Sequence, residues 1–433
     1  MFSLLATLML IHDEKTQPSG AFNSVVFEIS AICRDPTTQW MLLTCLMVWC
    51  GTFLFLNFSL KDLPLIGLLL ITIAICFISH AALSGTDALT LLAGGTLGKG
   101  TNFILKSGKR KAESGNILGI RNFLIGLIAF LAFASQWHLE VAHNFYPGTR
   151  WTGLWDNPNI YGMLMGAGVT LTIGLLAASP KSKVQGPKSA ESAEENTVRD
   201  SRSLFLRIFL FIAAGMMGVG LLFSYSRGAW VGTAIGLVYL AKVHGKLKWW
   251  WVLPGVLAST AVVVVFWHST ADNGPWYLKR LDLSRPSAQH RVAAWHGAVQ
   301  MMRDHPFGVG WNKAVETYEK RYSPPEGGAA ALAMNSYLML GTELGLPGLI
   351  CFVAYAGLAL KQKSEVRSQE SESITLGIGH RTLDSLQAAC RAGALVLLVA
   401  FWFDGGLFEL ATAAPFWILL ELGASDLIAD KTC

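Results

Sequence analysis

Apolar runs long enough to cross a bilayer alternate with short polar connectors along most of this chain, which predicts an all-α, polytopic bundle of membrane helices. The runs fall at about 39–60, 63–83, a weak 86–106, 117–135, 159–178, 205–225, 228–241, 248–267, 335–360, 386–403 and 405–422. That makes about 11 spans, and the apolar MFSLLATLMLI at the start is a clipped twelfth or a surface helix. No basic residue precedes that run and no small-residue cleavage site follows it closely, which argues against a cleaved signal peptide. Residues 16–38 are mixed and read as a loop or a partly inserted segment. The longest interruption of the alternation is a polar insertion at 268–334 that must sit in water at one membrane face.

Composition agrees with a single integral membrane domain over 1–433: 52% of residues are hydrophobic, 15% are charged and the mean hydropathy is +0.43. The basic residues of the short loops then orient the bundle. Lys106, Lys109, Arg110 and Lys111 lie in one loop, Lys181, Lys183, Lys188, Arg199 and Arg202 in the next, Lys242, Lys246 and Lys248 in a third, and Lys361, Lys363, Arg367 and Arg381 in a fourth. All four fall on one side, the cytoplasmic one, if every span between 117 and 360 is counted. The segment 136–158, the junction at Arg227 and the insertion 268–334 are therefore expected outside the cytoplasm. Trp137, Trp151, Trp155, Trp267 and Trp276 cluster near the outer span ends, as interfacial aromatics do. The polar stretches 179–204 and 361–385 read as flexible cytoplasmic connectors.

The net charge of +5 is topological and gives no support for nucleic-acid binding. Seven cysteines have neither metal-type nor paired spacing and read as small buried hydrophobes; no nucleotide motif is visible, and no cofactor is expected. Within the insertion, Val292, Trp295, Val299 and Met302 recur at helical spacing, with Ser287 offering an N-cap. This helix should stop near His305, because a residue before proline is pushed out of helical geometry. Pro306, Gly308 and Gly310 then make a turn, followed by Trp311 and Asn312.

Several of these pieces together carry a resemblance. Arg291 stands three residues ahead of Ala294-Trp295; HPFGVGWN follows at 305–312, NSYL at 335–338 and ELGLPGL at 343–349, while WTGLWDNPNIYG lies upstream at 151–162 and SYSRGAWVG at 224–232. In this order they resemble the O-antigen ligase family, a far stronger signal than a single short motif. The resemblance implies a metal-free glycosyltransferase of the inner membrane that passes a polyprenyl-pyrophosphate-linked glycan to a lipid or polysaccharide acceptor on the extracytoplasmic side. It implies that Arg227 and Arg291 hold the pyrophosphate, with Trp295, Asn335 and Tyr337 among the substrate-binding residues. One position departs: Met334 stands where the family has its catalytic histidine.

Physical chemistry gives partial support on its own. Arg227 lies between two apolar spans with no room for a solvated loop, and a permanent cation there needs an anionic partner; it can equally snorkel to lipid phosphates or pair with an acid from another helix. With Arg291 it makes a suitable diphosphate clamp, since each guanidinium donates two parallel hydrogen bonds, although Arg291 can also simply solubilise a surface helix. Met334 cannot act as a base, because a thioether does not exchange protons near neutral pH. His305 is the alternative base carried forward, with His296, His290, Asp156 and Glu319 as other loop candidates, and a structural role in its turn is the competing reading. Arg150 and Asn159 either line the donor site or satisfy backbone groups at a proline turn. Glu343, just inside a span, is a functional acid or a capping one, and Asp404 reads as part of an outer hairpin. A polymerase extending the same lipid-linked chain is the closest alternative activity. A non-catalytic relative or a transporter is the more distant one, and neither an internal repeat nor mid-span charge argues for transport.

Overall fold

The computed structural model describes residues 62–78, 86–107, 113–135, 140–142, 149–155, 157–178, 190–244, 286–323, 335–361 and 377–424. Met334, Asp156, the expected spans at 39–60 and 248–267 and the first part of the insertion lie outside the described residues, as does the side chain of His290. The fold is all-α. Its helices are α1 Leu63–Ile78, α2 Thr86–Ser107, α3 Glu113–Ala134, α4 Pro158–Ala178, α5 Ala190–Ser224, α6 Arg227–Val243, α7 Pro286–Asp304, α8 Ala314–Arg321, α9 Ser336–Glu343, α10 Gly345–Lys361, α11 Gly377–Ala400 and α12 Leu410–Ala424. A small antiparallel hairpin, β1 Glu140–Ala142 and β2 Thr149–Trp151, interrupts them, with Val141 opposite Arg150. The apolar pattern gave no sign of it, because three-residue strands are too short for an alternation to register.

The bundle is built around α4, which packs on α3, α5, α6, α11 and α12. Both α4 and the Leu204–Ser224 part of α5 are long and apolar enough to cross a membrane, but α4 is 83% buried there and α5 only 28%. The first is therefore the core helix and the second a peripheral one, with Phe205, Ile208, Phe211, Ile212 and Leu222 turned outward. The helix α5 also takes in residues 190–203 of the stretch expected as a connector, and α11 takes in 377–385 of the second. The four-residue glycine repeat of α6 has a direct reason. A Cβ at Gly232 would lie 2.5 Å from the Val396 carbonyl oxygen of α11, and one at Gly236 2.7 Å from the Val396 side chain, so α6 and α11 approach backbone to backbone at Gly232 and backbone to side chain at Gly236.

The weak apolar character of 86–106 is explained by Lys99, whose ammonium lies within α2 and pairs with Asp62 and with Glu421 of α12, the latter at 2.9 Å. Lys99 is thus a charge within an expected span, beyond the charges at the span ends that the sequence reading counted. A buried cation is tolerated here because two carboxylates and the face of Tyr355, 5.5 Å away, replace its water.

Two expectations about the insertion need correction. Its helix α7 starts at Pro286, so Ser287 lies inside the first turn rather than capping it, in keeping with the preference of proline for the first helical position. The buried face is also not the Val292–Val299 line: Ala294, Ala298, Met301 and Met302 are buried, while Val292 is 62% exposed. Small residues win that face because Tyr318 of α8 comes close enough to meet a Cβ on Gly297 at 2.7 Å.

The expected span 335–360 is two helices, α9 and α10, broken at Leu344 and Gly345. Gly345 has a φ of +74° and Gly308 one of +82°, and each occupies space that a side chain on the other would fill. A Cβ at Gly308 would lie 2.2 Å from the Glu343 carbonyl oxygen, and one at Gly345 2.4 Å from the Phe307 carbonyl carbon. The amides of Val309 and Gly310 donate to the carbonyls of Thr342 and Glu343, and that of Leu346 to Pro306. HPFGVG and ELG are therefore two halves of one backbone joint. Gly308→Ala should lower stability by about 1–3 kcal/mol from the left-handed backbone alone, before any clash, which a melting curve in detergent or nanodiscs reads directly. An unchanged midpoint would contradict this joint.

Candidate functional site

A group of buried polar side chains lies around the loop Phe401–Glu409 that joins α11 to α12. Three helix N-termini meet it. Asn159, the second residue of α4, donates from Nδ2 to Asp404 Oδ2 at 2.6 Å. Gly228, at the start of α6, lies against Phe403, where a Cβ would come within 2.7 Å of the phenylalanine Cβ. Ser336, at the start of α9, donates from Oγ to the Asp404 carbonyl at 2.8 Å and accepts the Leu407 amide at 3.2 Å, while its own amide donates to the Phe401 carbonyl at 3.0 Å. Helix N-termini carry partial positive charge, so their convergence favours an anion in their midst.

Three arginines come to the same place. Arg150, buried on β2, donates from Nη2 to Asn159 Oδ1 and from Nε to the Ser224 carbonyl, both at 2.8 Å, so the hairpin is tied to α4 and to the end of α5. Arg291 of α7 donates from Nη1 to the Phe403 carbonyl at 3.4 Å. Arg227 is the first residue of α6, directly after Ser226, whose side chain caps the helix through the Ala229 amide. A cation at a helix N-terminus works against the helix dipole, so the position is not one that helix stability selects. The preceding Tyr225 has a φ of +50°, an uncommon conformation for a bulky residue that turns the chain sharply between α5 and α6.

Against these guanidinium groups stand the carboxyls of Asp404 and Glu409. Burial raises the Asp404 carboxyl above the usual aspartate range, and the hydrogen bond from Asn159 and the charge of Arg291 only partly oppose that, while Glu409 adds to the rise. An aspartate so placed is a stronger base than a solvated one.

Beside the loop lies an aromatic group. Trp295 meets Trp402 edge-on at 5.8 Å, Tyr337 lies 5.6 Å from the same ring, and the Tyr337 hydroxyl donates to the Leu398 carbonyl. Asn335 is fully buried; its Oδ1 caps α9 by accepting the Tyr337 and Leu338 amides, and its Nδ2 has no hydrogen-bond partner among the described residues. Such an orphaned buried donor is uncommon and carries a cost unless a further acceptor comes to it.

A family model described as O-antigen ligase matches residues 212–353. This stretch belongs to the O-antigen ligase family. No curated protein matches the chain. The family is one of integral inner-membrane enzymes of ligase and polymerase type that transfer glycans in polysaccharide assembly, with lipid-linked glycans and lipid or polysaccharide acceptors as substrates. The O-antigen ligase segment supplies Arg227, Arg291, Trp295, Asn335 and Tyr337, whereas Arg150, Asn159 and Asp404 join them from outside it.

The residues singled out from sequence thus separate. Arg227, Arg291, Arg150, Asn159, Trp295, Asn335 and Tyr337 belong to the surroundings of one loop. His305 is half-buried in the HPFGVG joint, its backbone bonded to Met301 and Gly308, and among the described residues its ring makes no hydrogen bond to the arginines or Asp404. His296 and Glu319 are exposed on α7 and α8. Glu343 is buried at the same joint, its carbonyl accepting the Gly310 amide. Asp404 lies in the hairpin between α11 and α12, as its sequence setting predicts, and its bond to Asn159 is the feature that spacing does not show. The available signal was an acid between two closely spaced apolar runs.

Proposed function

We propose that the chain transfers a glycan from a polyprenyl pyrophosphate to a lipid or polysaccharide acceptor at the extracytoplasmic face of the inner membrane, as an O-antigen-ligase-like, multi-pass glycosyltransferase. The observation that carries this reading is the meeting of three helix N-termini and three arginines around Phe401–Glu409. A diphosphate suits that environment: its oxygens accept from guanidinium groups and amides, and the charge that grows on it as the glycosidic bond breaks is held without a metal. Arg227 and Arg291 grip the diphosphate, Arg150 holds Asn159 and α4 in place, and Asn335 offers its spare amide protons to a substrate oxygen. Trp295 and Tyr337, with Trp402, give a surface on which a sugar ring stacks. Asp404 takes the proton of the acceptor hydroxyl as it attacks the anomeric carbon, the part that an imidazole at position 334 would play in the family. Products are the glycosylated acceptor and the polyprenyl pyrophosphate.

Purified protein in nanodiscs, given a polyprenyl-pyrophosphate-linked glycan and an acceptor, should release polyprenyl pyrophosphate in step with glycosylated product. Release with elongation of the lipid-linked glycan itself would assign the polymerase reaction instead. An intact donor with every acceptor class would overturn both.

A further inference from the structure

The turn at the end of α7 carries Phe307 at 77% exposure, the highest of any large apolar side chain among the described residues. Immediately beside it begins a stripe on α10: Leu346, Ile350 and Val353 are 40%, 64% and 52% exposed and recur at one-turn spacing along one face. The turn sits on the head of this stripe, because the Leu346 amide donates to the Pro306 carbonyl at 2.8 Å and Gly345 closes against Phe307. Phe307 thus continues an apolar line that α10 already presents outward. Arg303, one turn earlier on α7, is exposed, while the neighbouring Asp304 is engaged by the Tyr322 hydroxyl at 2.7 Å. An aromatic tip with a cation one turn behind it is how a segment lies in a bilayer interface, the ring among acyl chains and the guanidinium at the phosphates.

We propose that the Pro306–Phe307 turn is a lipid anchor: Phe307, with Leu346, inserts among phospholipid acyl chains and Arg303 meets the headgroups. This rests on the multi-pass reading proposed above, in which α10 belongs to one of the membrane spans. Its consequence is mechanical. The anchor fixes the C-terminal end of α7 at interfacial depth, while the Arg291–Phe403 contact fixes the other end against the bundle, so the helix that carries Arg291 is held parallel to the membrane at the level of a lipid diphosphate.

The test places the photo-reactive residue p-benzoylphenylalanine separately at Phe307, Ile350 and Lys313 in the full chain in inner-membrane vesicles, and identifies adducts by mass spectrometry after illumination. The aromatic replacement at Phe307 is close in shape to the native ring, and Lys313 is an exposed control at the start of α8. Phospholipid adducts are expected at Phe307 and Ile350 and none at Lys313. Lipid at Ile350 with none at Phe307 would overturn the anchor and leave the membrane placement standing. A protein adduct at Phe307 would overturn it in favour of a protein interface. Absence of lipid at Ile350 would overturn the placement of α10 itself and the anchor with it.

Discussion

Arg291→Ala should cut glycan transfer by roughly 100- to 1,000-fold in kcat, the size of effect seen when one preorganised donor to developing charge is removed. Arg227→Ala should do the same. The two residues stand on different helices: Arg291 bonds to the Phe403 carbonyl, and Arg227 directly precedes Gly228, which packs on the Phe403 ring. A guanidinium at each position presents two parallel hydrogen bonds to adjacent phosphate oxygens, which an ammonium does not, so Arg→Lys at either site should recover only a small part of the loss. Because the diphosphate charge grows during bond cleavage, the loss should appear in kcat more than in KM. Lys313→Ala, an exposed charge on α8, should leave transfer unchanged. Full activity in both arginine variants, with the protein present in membranes at normal levels, would remove the diphosphate clamp from consideration.

Asp404→Asn should lower kcat by about 100-fold or more, within the range attributed to a positioned base, while the protein still accumulates. The pH dependence separates a base from a structural acid. Burial raises the Asp404 carboxyl above the usual aspartate range, and the ionised form is the one that takes a proton, so transfer should fall as pH drops through that raised value. The acid limb should therefore lie at higher pH than a solvated aspartate would give. Met334→His adds an imidazole with an ordinary pKa of about 6.5, so it should raise the rate near neutrality and restore part of the activity lost in Asp404→Asn. An unchanged rate in Asp404→Asn would move the proton transfer to another group, and an unchanged rate in Met334→His would show that position 334 does not face the acceptor.

Much of the candidate site is legible in the chain as separate residues. Arg227 and Arg291 were marked by a charge beside hydrocarbon and by motif pieces in a fixed order, and Arg150 and Asn159 were found at the proline turn that opens α4. What the sequence did not carry was partnership. Arg150, Asn159 and Asp404 are linked side chain to side chain across 245 residues between Asn159 and Asp404, and no periodicity or spacing encodes such a pairing. The HPFGVG and ELGLPG pieces are legible as motifs, and Gly308 and Gly345 make a backbone joint of them, the structural role weighed for the turn that holds His305. The buried face of α7 went to alanines and Gly297 instead of to its valines, because the approach of Tyr318 rewards the absence of a side chain.

The sequence by itself determined that the chain is helical and membrane-suited, since helix length, apolar content and loop charge are local properties summed along the chain. It also carried the resemblance to the O-antigen ligase family, whose model matches residues 212–353, since the order of short motifs survives without coordinates. Only the tertiary structure decided which polar residues share a site, that α4 is the core helix and α5 a peripheral one, and that Asp404 stands among three helix N-termini. Those outcomes depend on the close approach of segments far apart in sequence, where a missing Cβ or a single buried carboxyl sets the geometry and hydropathy is silent.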